Sequence, residues 1–141
     1  MDNVRPGQWL ILASGALLFV FSFLDVFKDD DNAWSNFGTI TWPALLGLIA
    51  AAATAATLFG NVKLPENVLT FSFGQLLVVA GFTSVLIQLG LVGMGLFSDL
   101  FDAGIGAWLG LLAAIGLLVG AVMEQEGGPS KATAATPPSP F

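Results

Sequence analysis

The sequence predicts an all-α integral membrane protein, a four-helix bundle with up-down connections, and three observations lead there. Charged residues make up 10% of the 141 residues, against about 25% in an ordinary soluble domain, and hydrophobic residues reach 55%. The mean hydropathy is +0.84. Four mostly apolar runs approach the roughly 20 helical residues that a hydrocarbon core about 30 Å thick requires, and none carries a charge in its central stretch.

The first run covers about residues 8–27. Arg5-Pro6-Gly7 opens it, and it closes where Asp25 and then Lys28-Asp29-Asp30-Asp31 begin. A cleavable signal peptide would show a small-x-small site after the apolar stretch, and Asp25-Val26-Phe27-Lys28-Asp29 has none, so the run is read as a helix. The second covers about 42–60, with Pro43 in its first turn, where a missing N–H costs nothing. The third covers about 69–94, after the turn-like Asn61-Val62-Lys63-Leu64-Pro65-Glu66-Asn67. The fourth covers about 104–123 and stops at Glu124-Gln125-Glu126-Gly127-Gly128-Pro129. As core helices of a soluble protein these runs would need amphipathic partners, and the remaining residues offer none. Residues 124–141 are Pro-, Ala- and Thr-rich and are expected to be a disordered cytoplasmic tail, a free terminus or a docking or phosphorylation segment at Ser130, Thr133, Thr136 or Ser139.

Arg5, Lys63 and Lys131 fall on one side of a four-span arrangement and Lys28 on the other, which places both termini in the cytoplasm and the chain in the plasma (inner) membrane. The outer rim then carries Asp25, Asp29, Asp30, Asp31, Asp99 and Asp102. Trp9, Trp42 and Trp108 lie near span boundaries, where indole prefers the headgroup level, and serve as interface anchors. The segment from Trp34 to Ile40 either rests on the membrane surface or packs over the bundle.

Composition narrows the chemistry. A net charge of -6 leaves no basic face for nucleic acid. The absence of Cys, His and Tyr, with no buried carboxylate, removes the usual nucleophiles and bases, so neither an enzyme nor a resident cofactor is expected. An EF-hand loop counted from Asp29 would need Gly at its sixth place and Glu at its twelfth, and the chain has Trp34 and Ile40 there. The acidic outer loops leave a weak rim-type cation site, from Asp29 and Asp31 with Asp99 or Asp102, against the alternative of a solvated acidic loop. The span count is similar to that of the small multidrug resistance transporters, but their Glu in the middle of the first helix is missing, since only Ser14, Gly15 and Ser22 offer polarity or smallness at depth.

Close helix packing in lipid relies on small residues. Gly47, Ala51 and Ala55 repeat every four residues in the second span, and Gly106, Gly110 and Ala114, then Gly116 and Gly120, do so in the fourth. Gly74, Gly81, Gln88 and Gly95 recur every seven residues in the third, with Ser84 on the same face, so this stripe is expected to face protein. Gln75, Gln88, Ser84 and Thr83 are the most polar groups within the spans. Gln88, Ser84 and Thr83 either bond between helices or line a path.

The acidic first outer loop, the second span opened by Trp42-Pro43, and the last span Gly106-Ala107-Trp108-Leu109-Gly110-Leu111-Leu112, running through Glu124 into a Pro-rich tail, resemble a group of small actinobacterial four-span membrane proteins of unassigned function. The resemblance implies a multi-pass membrane protein and carries over no catalytic or ligand residue. That group is similar to antigenic four-span proteins with longer Pro/Gly-rich tails, and this tail is shorter, without Tyr or Gln repeats. The expected function is a small scaffold or accessory subunit in the bilayer that meets a membrane-protein partner or further copies of itself through helix packing. The competing expectation is an oligomeric small channel or transporter with a path lined by Gln88, Ser84 and Thr83.

Overall fold

The computed structural model describes residues 5–27, 31–32, 34, 38–60, 67–68, 71–97 and 103–127. Four long helices dominate: α1 (Pro6–Phe21), α2 (Trp42–Phe59), α3 (Phe73–Phe97) and α4 (Ile105–Gly127). Two short antiparallel strand pairs stand at their ends, β1 (Asp25–Phe27) with β2 (Asp31–Asn32), and β3 (Asn67–Val68) with β4 (Phe71–Ser72). Three helical stretches, Thr39–Phe59, Phe73–Phe97 and Ile105–Gln125, are long and apolar enough to cross a membrane.

Local chemistry sets the helix ends. The helix expected over about 8–27 is α1, and it stops at Phe21. Beyond it the Ser22 hydroxyl donates back to the Phe19 carbonyl, the N–H groups of Phe23 and Leu24 bond three residues back, and the chain then extends into β1. At its start, Gln8 Oε1 accepts the Arg5 N–H at 3.1 Å. A 3-10 turn at Thr39–Thr41 leads into α2, and Pro43 lies in the first helical turn. The helix expected over about 69–94 is α3, and it begins at Phe73, where Ser72 and Gln75 form a reciprocal cap. The Ser72 N–H donates to Gln75 Oε1 at 2.9 Å and the Gln75 N–H to Ser72 Oγ at 3.3 Å, satisfying two otherwise orphaned donors. Gln75, taken from the sequence as an intramembrane polar group, is thus a helix cap. The last helix continues past Met123 to Gly127, so Glu124 belongs to α4 and not to the tail. The rest of the tail, 128–141, lies outside the described residues.

α1 packs along both α2 and α4, α3 packs along α4, and α2 meets α3 over a smaller surface. Neighbours run in opposite directions: Gly7 lies beside Gly120 and Ser14 beside Gly116, while Gly81 lies beside Leu118 and Gly95 beside Ala103. The main core gathers Ile11, Leu18, Ala50, Leu77, Ala113, Ala114, Leu117 and Ala121. A second cluster, Leu91, Val92 and Ala107, has Trp34 and Ile40 packed against it. The outward faces are also apolar, with Leu17, Val20, Ile49, Val79, Phe82, Leu86, Leu112 and Val119 all exposed. A helix apolar all round needs an apolar surrounding, and a bilayer supplies one.

Candidate functional site

The small residues of α2 and α4 lie at the seams between helices. A Cβ on Gly47 would sit 3.1 Å from the Gly15 carbonyl oxygen, and one on Gly15 would sit 2.9 Å from the Ala51 Cβ, so α1 and α2 meet backbone to backbone. Ala55 is half-buried further along α2. On α4, a Cβ on Gly120 would sit 2.9 Å from the Gly7 carbonyl oxygen, and one on Gly116 would collide with Ser14 Oγ. Ala114 is fully buried and Gly106 is buried.

The seven-residue stripe of α3 faces α4 along most of its length. A Cβ on Gly81 would lie 2.7 Å from Leu118 Cα, and one on Gly110 would lie 2.7 Å from Gln88 Nε2. Gly95 is crowded by Ala103, whereas Gly74 has nothing within 4 Å of its Cβ position. Two further glycines on α3, Gly90 and Gly93, also open onto empty space.

The three polar side chains of α3 occupy different surroundings. Ser84 is fully buried and its hydroxyl donates to the Ala80 carbonyl at 2.8 Å within its own helix. Thr83 lines an outward groove of about 440 Å³ between α2 and α3, together with Trp42, Leu46, Ile49, Phe73 and Val79. Gln88 is 8% exposed, and its Oε1 is buried with no hydrogen-bond partner. It borders a cavity of about 10 Å³ that Leu18, Phe21, Ser22, Ile40, Ala44, Gly106 and Gly110 also line. Thr83 and Gln88 thus border different spaces, and Ser84 borders neither of them.

Three features lay beyond the sequence reading. Trp34 Nε1 donates to Ser22 Oγ at 2.7 Å, while its ring stacks on Phe23 with centroids 5.8 Å apart and meets Phe19 edge-on. Arg5 pairs with Glu124 at 2.6 Å, tying the start of α1 to the end of α4. The third is the open pair Gly90 and Gly93. The Trp34–Ser22 and Arg5–Glu124 contacts join distant segments and leave no local signal, whereas the Ser-x-x-Gln pattern at Ser72 and Gln75 was a local cap signal that sequence alone could have used.

Trp9, Trp42 and Trp108 are each about half exposed on outward faces, as an indole at an interface requires. Of the acidic outer loops, Asp29, Asp30, Asp99 and Asp102 lie outside the described residues, and so does any cation site they build. Among the described residues no cluster of three or more His, Cys, Asp or Glu side chains could hold a metal. No family model, curated protein or solved structure matches the chain. The reading of function therefore rests on the chain's own geometry.

Proposed function

We propose that the chain is a four-span, up-down membrane bundle that acts as a small scaffold or accessory subunit, presenting the outer face of α3 to a membrane helix of a partner. The observation that carries this reading is the pair Gly90 and Gly93, whose Cβ positions meet nothing within 4 Å although the other seams have used their small residues internally. Around them Val79, Phe82, Leu86, Leu89 and Phe97 are exposed, Phe97 at 92%. Exposed glycines flanked by large apolar groups let a second helix approach closely, which is how helices associate where lipid removes the hydrophobic drive.

In this reading α1 is the fourth pass. Its 16 residues span about 24 Å, a shortfall that a bilayer accommodates by local thinning. The bundle sits in a bacterial plasma membrane with both termini in the cytoplasm, on the bias of Arg5, Lys63 and Lys131. The separation of Thr83 from Ser84 and Gln88 favours the accessory role over a path through one chain.

The test is native purification in mild detergent with mass determination of whatever co-migrates, for the wild type and for Gly90→Leu with Gly93→Leu. A stoichiometric membrane protein that the variant loses supports the reading. A clean homo-oligomer that survives both substitutions overturns it and makes ion flux in liposomes the next measurement.

A further inference from the structure

We propose that the cavity beside Gln88 is a binding site for one water molecule, which donates hydrogen bonds to Gln88 Oε1 and Ser22 Oγ and joins α3 to the end of α1. The proposal does not depend on any partner of α3.

Four observations meet at this place. Gln88 is more than nine-tenths buried, and its amide oxygen has no partner. Buried amide oxygens in folded proteins are nearly always paired, so this one calls for a donor that the chain itself does not supply. The space that the Gln88 side chain borders is about 10 Å³, close to the minimum for a single water.

Ser22 borders the same cavity and has one acceptor position to spare. Its hydroxyl gives its only proton to the Phe19 carbonyl and accepts one bond from Trp34 Nε1, which leaves one lone pair. A water with two protons matches two acceptors, Gln88 Oε1 and Ser22 Oγ. Among the described residues the remaining wall is apolar or glycine, including Leu18, Phe21, Ile40 and Ala44. A hard cation would need about six oxygen ligands, and none of the described lining residues brings a carboxylate, so the neutral donor is the better fit.

The site sits where the interior meets the lid formed by Trp34. Through Ser22 the water connects the Trp34 indole to the Gln88 amide, so one polar chain runs from Trp34 into the α3–α4 seam.

The experiment is water-to-amide magnetisation transfer by NMR on the full chain in nanodiscs, with nitrogen-15 in the Gln side chains. The four Gln residues, Gln8, Gln75, Gln88 and Gln125, are separable by through-bond assignment, so no variant has to fold. The expected result is a water cross-peak at the Gln88 side-chain amide with the sign of a long-lived contact. Its absence, or the sign of fast-exchanging surface water, overturns the proposal. A second readout is a high-resolution map of the same protein prepared with thallium in place of sodium. One weak peak at hydrogen-bond distance from Gln88 Oε1 that ignores the exchange supports water, and a peak that gains strong scattering identifies a cation and overturns it.

Discussion

Substituting Ala for Gly81 and for Gly90, two positions on the same helix, isolates the value of the α3–α4 seam. Both glycines lie inside α3, so both substitutions gain roughly 1 kcal/mol of helix propensity, and that gain cancels when the two variants are compared. The new Cβ at Gly81 would lie 2.7 Å from Leu118 Cα and 3.0 Å from Leu118 N. Carbon atoms rest at about 3.5–4.0 Å, so the helices must part by roughly 1 Å, and backbone atoms cannot swing aside as a flexible side chain would. Parting by that amount forfeits about a quarter to a half of the dispersion energy of each atom pair along the seam. Overpacking of this kind costs about 1–3 kcal/mol. At Gly90 the new methyl meets nothing within 4 Å.

The difference between the variants should therefore be about 1–3 kcal/mol, or roughly 5- to 150-fold in the unfolding constant. Equilibrium unfolding in mixed micelles with a rising fraction of denaturing detergent, followed by tryptophan fluorescence, measures it. The reasoning fails if Gly81→Ala unfolds at the same or a higher detergent fraction than Gly90→Ala.

Three further outcomes follow from the same geometry. Gly110→Leu forces the Gln88 amide, 2.7 Å from the new Cβ, out of its place and should destabilise by at least about 2 kcal/mol, so an unchanged thermal midpoint would refute the packing role of Gly110. Trp34→Phe keeps a ring against Phe23 but removes the N–H donated to Ser22 Oγ, and thermal unfolding should register a loss of about 1 kcal/mol. Arg5→Gln breaks the pair with Glu124, yet Arg5 is 44% exposed, so the loss should stay within about 1 kcal/mol and shrink in high salt; a larger loss that salt leaves unchanged would contradict a solvent-screened pair.

The apolar length of the helices was legible because lipid demands a run of fixed size, and composition alone reports such a run. The face of α3 that meets α4 was legible because seven residues are close to two turns, which sets Gly81, Gln88 and Gly95 in one line. The end of α1 was not, because Phe23 and Leu24 are as apolar as the residues before them and hydropathy continues through the turn. Just past that end the Ser22 hydroxyl accepts a bond from Trp34 Nε1, and a contact across twelve residues leaves no periodic trace. Gln88 was visible as a polar residue at depth, but its empty neighbour was not. A cavity belongs to no residue and arises where Gly106, Gly110 and Ala44 leave it open.

The polar groups within the apolar helices differ in kind, and the difference bears on where a partner can bind. Thr54, Thr57 and Ser84 each donate a hydroxyl to a carbonyl three or four residues back in their own helices, so they are satisfied before any helix meets another. An amide has both a donor and an acceptor end, and no N–H or O–H of the protein donates to Gln88 Oε1. Gln88 therefore requires the α4 seam to seat it, and Gly110 is the residue that makes room. Gly90 lies nine residues, about two and a half turns, beyond Gly81 and hence on the opposite side of α3. Substitutions on the seam should then lower stability and leave association intact, while substitutions at Gly90 and Gly93 should do the reverse. A protein whose stability and association always fell together would have its partner surface inside the seam, and the division of α3 into two faces would be wrong.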